Sequence, residues 1–219
     1  MKAVGGPVQC RLANAGDPGY SIAMRHTRRP GEYYCRLWLA ALAVVGCATA
    51  RPAPVATTTV YLVRHGEKSG TIPNDPDPDL SAAGRIRAEA LATRLRGSGV
   101  TAIVTTQLKR TRETAVPLAA QLGLTPEVVP TGGAAHADSV AAAVMRHRGG
   151  KVLVVGHSNT ITAIIAALGG PRLPNLCDSE YSDLFVVNVS GSPWPSVVRQ
   201  HYGAADPAPD SSCAAMRTQ

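Results

Sequence analysis

The sequence predicts an α/β protein, a three-layer α/β/α sandwich built on a mostly parallel central sheet. Three observations carry this. β-Branched apolar runs recur at Val60–Val63, Val100–Val104 and Lys151–Gly156, and segments with helical apolar spacing alternate with them. The run Val152-Leu153-Val154-Val155 is apolar at successive positions, as a strand covered on both faces must be.

Taken in order, Val60–Val63 is the first strand, ending in Arg64-His65-Gly66-Glu67. An Asp/Pro-rich loop, Gly70–Asp79, leads to Ser81, whose hydroxyl suits the N-cap of a helix with Ile86, Ala90, Leu91 and Leu95 on its apolar face. Val100–Val104 is the second strand. The next helix spans Lys109–Leu122, with Ala115, Leu118, Ala119 and Leu122 inward and Pro117 expected to kink or split it. Val128-Val129 reads as a short edge strand and Ser139–His147 as a helix. Lys151–Gly156 is the buried central strand, and His157-Ser158-Asn159-Thr160 opens an Ala/Ile-rich helix to about Leu168. Leu184–Val189 and Val197–Tyr202 complete a partly antiparallel sheet. The domain is expected over residues 57–202, and the Ala/Pro/Asp/Ser-rich stretch 203–219 reads as a flexible tail.

Residues 1–46 read as a pre-sequence. Arg25, Arg28, Arg29 and Arg36 precede the apolar run Leu37–Val45, and small residues follow, as in a secretory signal; the run is too short to span a bilayer. Met24 is an alternative start, since Met24–Cys47 alone has the proportions of a signal. Val44-Val45-Gly46-Cys47 resembles the lipobox of bacterial lipoproteins. That resemblance implies lipidation of Cys47, a membrane anchor and a place in the bacterial cell envelope, with 47–56 as an extended tether. The alternative is a plain signal cleaved near Ala48-Thr49-Ala50, which gives a periplasmic protein.

The net charge is +7, from 22 Lys and Arg against 15 Asp and Glu. Residues 1–46 hold six of those bases and two of those acids, so the remainder is only +3. The basicity belongs largely to the pre-sequence, and with a single Phe there is little to stack on bases; no nucleic-acid partner is expected. Of five cysteines, Cys10 and Cys35 lie in the pre-sequence and Cys47 is the lipidation site. Cys177 and Cys213 remain, an even pair that in an exported protein suggests a disulfide between a loop and the tail; two free thiols are the alternative. No Cys/His spacing resembles a zinc site.

Three strand ends carry the polar groups: Arg64 and His65 after the first, Arg110 after the second, His157 after the central one. Parallel strands share one carboxyl edge, so these groups converge despite their separation in sequence. Two guanidiniums and two imidazoles in one crevice suit a tetrahedral dianion. Gly66 permits a sharp turn or close approach to a ligand, and helix starts near Arg110 and at Ser158 add N–H donors.

These residues also carry a resemblance. Val63-Arg64-His65-Gly66-Glu67, Thr105–Ala115 and Val155-Gly156-His157-Ser158-Asn159-Thr160 occur in an order similar to that of the histidine phosphatase (phosphoglycerate mutase-like) superfamily. Leu80–Gly84 also fits. The export signal and Glu180–Phe185 resemble its small exported bacterial members. The resemblance implies that His65 accepts a phosphoryl group, that Arg64, Arg110 and His157 bind its oxygens, and that no metal or other cofactor takes part. The expected activity is metal-independent hydrolysis of a small phosphomonoester. A phosphohistidine protein phosphatase and a catalytically silent anion-binding lipoprotein are the alternatives.

The general acid is the gap. The family's acid-phosphatase branch places Asp directly after the second His, where this chain has Ser158, and the mutase branch uses a Glu that is not clearly reproduced. Glu67 and Asp138 are the candidates, with Asp75, Asp77 and Asp79 in reach by loop movement. Arg112 reads as a solvated charge, and His136, His147 and His201 as surface or satisfied core histidines.

Overall fold

A computed structural model describes residues 56–192, 194–208 and 213. The pre-sequence, Cys47 and the tether up to residue 55 lie outside the described residues.

The chain runs β1 (Thr58–Arg64), α1 (Ala82–Leu95), β2 (Ala102–Thr105), α2 (Lys109–Leu122), β3 (Glu127–Val128), α3 (His136–Arg146), β4 (Lys151–Gly156), α4 (Ile161–Ala167), β5 (Asp183–Val189) and β6 (Ser196–His201). The six strands form one sheet in the order β3-β2-β4-β1-β5-β6. The first four are mutually parallel, β5 runs antiparallel to β1, and β6 antiparallel to β5. The α/β sandwich read from the sequence is the fold observed, with a mixed sheet.

Alternation along the central strands divides the core in two. Val60 and Leu62 of β1 and Val152 and Val154 of β4 face α3 and α4, where they meet Val140, Val144, Ile161, Ile164 and Ile165. Val63, Leu153 and Val155 face α1 and α2, meeting Leu91, Leu95, Ala115 and Leu118. Each fully buried side chain of this size contributes roughly 1.5–3 kcal/mol, so the two cores hold both helical layers to the sheet.

Four local expectations change. Ile86 is 70 % exposed, and Arg87 is buried in its place. The face of α1 turns because Arg87 has buried partners of its own, described below. Helix α2 runs through Pro117 unbroken, with Ala115 and Leu118 fully buried on either side of it; that burial outweighs the one backbone bond proline removes. Helix α3 begins at His136, three residues earlier than expected. Helix α4 begins at Ile161, because the turn from His157 closes first: the Thr160 N–H donates to the His157 carbonyl at 3.0 Å, and the His157 N–H to Thr160 Oγ1 at 3.0 Å.

The segment expected as a flexible tail is docked wherever it is described. Asp206 accepts hydrogen bonds from the Tyr181 and Ser182 amides and the Ser182 hydroxyl, and the Ala204 carbonyl accepts from Arg87. Cys213 is buried and joined to Cys177 by a disulfide.

Candidate active site

Strands β1 and β4 stop together. Arg64 is in register with Gly156, and the His65 N–H donates to the Gly156 carbonyl at 3.0 Å. The next residue of each strand is a histidine, and the two rings meet edge-on with centroids 5.3 Å apart. β2 lies on the other side of β4, and the first turn of α2 that follows it brings Arg110 to the same edge. Arg64, His65, Arg110, His157, Ser158 and Asp178 lie together around a crevice of about 420 Å³.

His65 is 4 % exposed. Its Nδ1 lies 2.7 Å from the Gly66 carbonyl oxygen. A carbonyl only accepts, so the proton of the neutral ring sits on Nδ1 and the lone pair on Nε2. Burial, reinforced by Arg64, His157 and Arg110 and opposed by the Gly66 hydrogen bond, lowers its pKa to about 3. His157 is likewise held neutral: burial, then Arg110, His136 and Arg64, bring its pKa to about 4. At neutral pH the two imidazoles are uncharged and the positive charge of the crevice comes from its arginines.

Arg64 is gripped from behind. Its Nη1 donates to the carbonyls of Cys177, Asp178 and Glu180 at 2.8, 3.0 and 3.1 Å, and the Tyr181 ring packs 4.1 Å from its guanidinium carbon. Tyr181 also presents its edge to His65, at 6.3 Å between centroids. The Nε atoms of Arg64 and Arg110 are both buried and, among the described residues, without a hydrogen-bond partner. A buried N–H left without an acceptor is costly, about 1–3 kcal/mol, so both arginines carry unmet donors beside the crevice. Asp77 sits 3.7 Å from Arg110 Nη1 and accepts the Lys109 N–H, capping α2, whose Leu108 supplies no side-chain cap.

Gly66 packs against a neighbouring backbone. A Cβ there would lie 2.8 Å from the Gly84 carbonyl oxygen, and one on Gly84 would strike the Glu67 backbone. The glycine pair lets the loop after β1 lie directly on α1, a close backbone approach that no side chain permits.

Neither acid candidate reaches the crevice. Glu67 is held by Arg87 through bonds from Nε at 2.9 and 3.0 Å and from Nη2 at 2.8 Å, while Arg87 Nη1 donates to the Tyr202 and Ala204 carbonyls. Asp138, on α3, is exposed and lines a different cavity with Ala163, Ala167 and Asn175. His136 is a core histidine, its Nδ1 donating to the Pro130 carbonyl at 3.0 Å, and Arg112 is solvated. One grouping of metal-ligating residue types occurs among the described residues, Cys177, Glu180 and Cys213, and its two sulfurs are bonded to each other.

Sequence reading missed Thr106, Tyr181 and Asp178. Thr106 Oγ1 lies 3.2 Å from His157 Nε2 and is itself tied to Thr111 Oγ1 at 2.9 Å. The polar Thr105-Thr106-Gln107 at the end of a buried strand was the available signal. Tyr181 and Asp178 lie on a segment with no periodicity, and only the fold brings them to Arg64.

A family model described as histidine phosphatase superfamily (branch 1) matches residues 60–131, which contain Arg64, His65 and Arg110. Solved structures extend the likeness across the sheet. The protein histidine phosphatase SixA, solved with tungstate, superposes with TM-score 0.54 at 18 % identity, covering 65 % of this chain and 96 % of its own. SixA from Nakamurella multipartitia superposes with TM-score 0.51 at 25 % identity, covering 69 % and 99 %.

Over residues 60–131 the chain is similar to the histidine phosphatase superfamily (branch 1).

Among curated relatives, the probable phosphoglycerate mutase GpmB of Yersinia enterocolitica is 42 % identical over 69 residues, which is 30 % of this chain and 32 % of that protein. The PE-PGRS family protein PE_PGRS11 of Mycobacterium tuberculosis is 39 % identical over 84 residues, 36 % of this chain and 14 % of that protein. The match thus spans a third or less of the curated relatives' length.

Proposed function

We propose that this protein is a metal-independent phosphomonoester hydrolase that works through a phosphohistidine on His65. The observation that carries the reading is the state of His65: neutral, with Nδ1 committed to the Gly66 carbonyl and Nε2 left as a nucleophile. Arg64, Arg110 and His157 line the same crevice. Their N–H groups are placed to take the oxygens of a phosphoryl group as charge spreads over them in transfer. The Arg64 and Arg110 guanidiniums repel a divalent cation, which supports chemistry that relies on fixed cations of the protein itself. The resulting phosphoenzyme is then hydrolysed by water. The small phosphorylated substrate is proposed to be met in the cell envelope, with the chain anchored by lipid on Cys47 or released as a periplasmic protein.

The test is hydrolysis of p-nitrophenyl phosphate with and without EDTA, beside His65→Ala and trapping of acid-labile, base-stable phosphate on His65. Activity that survives His65→Ala, or disappears with chelator, refutes the proposal. A second reading, phosphohistidine protein phosphatase, is favoured by the likeness to SixA at 25 % identity. It predicts a kcat/KM for a phosphohistidine peptide well above that for any small ester. A catalytically silent anion-binding protein would bind orthovanadate and hydrolyse none of these substrates.

A further inference from the structure

Expelling an alkoxide from phosphorus requires a proton at the leaving oxygen, and the carboxylates that the sequence offers for it are committed elsewhere. Glu67 is chelated by Arg87, and Asp138 faces another cavity. Asp77 caps α2 and pairs with Arg110, Asp79 pairs with Lys109 at 3.2 Å, and Asp75 accepts the Asp77 N–H at 3.0 Å. Among the described residues that line the crevice, Asp178 is the single carboxylate.

Its backbone and its side chain behave differently. The backbone is fixed to the site: the Asp178 carbonyl and those of Cys177 and Glu180 all hold Arg64, and Cys177 is bridged to Cys213. The side chain is 83 % exposed, with Oδ1 3.4 Å from Arg64 Nη2. A carboxylate on a fixed stem, loosely attached to a guanidinium that lines the crevice, is free to turn toward a group seated there.

We propose that Asp178 is the general acid, and then the general base, of this site. The proposal rests on the phosphohistidine reading above. In the first step the His65 Nε2 lone pair forms the N–P bond as the P–O bond to the alcohol breaks. The bonding pair goes to the leaving oxygen, and the Asp178 carboxyl proton joins it, giving free alcohol, phosphohistidine and an Asp178 carboxylate. In the second step a water oxygen bonds to phosphorus, its proton passes to Asp178, and the N–P pair returns to Nε2. The products are inorganic phosphate and the starting enzyme.

Asp178→Asn preserves size and hydrogen bonding, and at a position this exposed it leaves folding intact. The kcat/KM of the variant is measured against p-nitrophenyl phosphate, phenyl phosphate and glycerol 2-phosphate. An acid contributes about 10²–10⁴-fold where the leaving group needs its proton. The expected result is near-wild-type kcat/KM for p-nitrophenyl phosphate, a loss of about 100-fold or more for glycerol 2-phosphate, and a burst of nitrophenol as phosphoenzyme accumulates. An equal loss on all three esters, or no loss, overturns the assignment and reduces Asp178 to a brace for Arg64. Failure of the phosphohistidine reading appears separately, as absence of phosphate on His65 in the wild-type protein.

Discussion

Arg87, which is buried, and Glu67, which is half-buried, form an ion pair at the foot of the loop that carries His65. The guanidinium is 4 % exposed and reaches both carboxylate oxygens, and its remaining nitrogen holds the carbonyls of Tyr202 and Ala204. One residue on α1 therefore ties the loop after β1 to the chain beyond β6. Arg87→Met removes one charge and strands the other. Urea unfolding is expected to show a loss of about 3 kcal/mol, somewhat more than for Glu67→Gln, because Arg87→Met also removes the bonds to the Tyr202 and Ala204 carbonyls. Neither variant is expected to change the dependence of rate on leaving group, since Arg87 holds the Glu67 carboxylate and Glu67 does not line the crevice.

The two depressed histidine pKa values give a pH dependence whose sign is fixed. In the unfolded chain these imidazoles take up protons near pH 6.5, whereas in the folded protein they do so at about 3 for His65 and about 4 for His157. Between those limits the unfolded state binds more protons, so stability is fully present above pH 6.5 and falls as the pH drops through the window. Acid titration followed by circular dichroism is expected to show this slope, and His65→Ala to flatten it. Single-turnover phosphorylation of His65 is expected to show no inflection from either imidazole between pH 5 and 8.

The disulfide closes a loop with a sequence separation of 36, and chain entropy assigns such a closure roughly 3–4 kcal/mol. Cys213→Ser, or reduction of the native protein, is expected to lower the melting temperature by several degrees or more. Because the Cys177 carbonyl holds Arg64, the same change is expected to raise KM for p-nitrophenyl phosphate several-fold. An unchanged KM would mean that the other two carbonyls and Tyr181 suffice to hold the arginine.

Thr106→Val keeps the shape of a fully buried side chain while removing the hydroxyl beside His157. The imidazole then loses the contact that orients it. kcat is expected to fall by about tenfold, the equivalent of one ordinary hydrogen bond, with KM little altered. Thr106→Ser, which keeps the hydroxyl, is expected to recover most of the rate.

What could be read from the sequence follows how local the causes are. The strand ends were legible because β1 and β4 are apolar runs that stop at Arg64 and His157, and parallel neighbours must end on one edge. Ser81 was legible as an N-cap because its partner, the Gly84 N–H, is three residues away. Arg87 was not. Its partners lie 20 and 115 residues off, and a charged residue among Ile86, Ala88 and Ala90 gives no sign that it faces inward. Nor was the constraint that Gly84, on another element, places on Gly66. The docking of Asp206 was hidden by a composition that resembles a linker, whereas the bridge from Cys213 to Cys177 was legible as an even pair of cysteines.

The in-register ending of β1 and β4 has a consequence for how such a site can change. Because Arg64 and Gly156 are paired, the backbones of the two histidines leave the sheet from strands one spacing apart, about 4.8 Å, and their rings meet with centroids 5.3 Å apart. A yardstick made of peptide hydrogen bonds does not lengthen when surface residues are exchanged. The remaining walls are of another kind: Arg110 and Leu108 come from the start of a helix, and Asp178 from an irregular segment. Substitutions there can alter which alcohol is accepted while the line of attack stays as the sheet sets it.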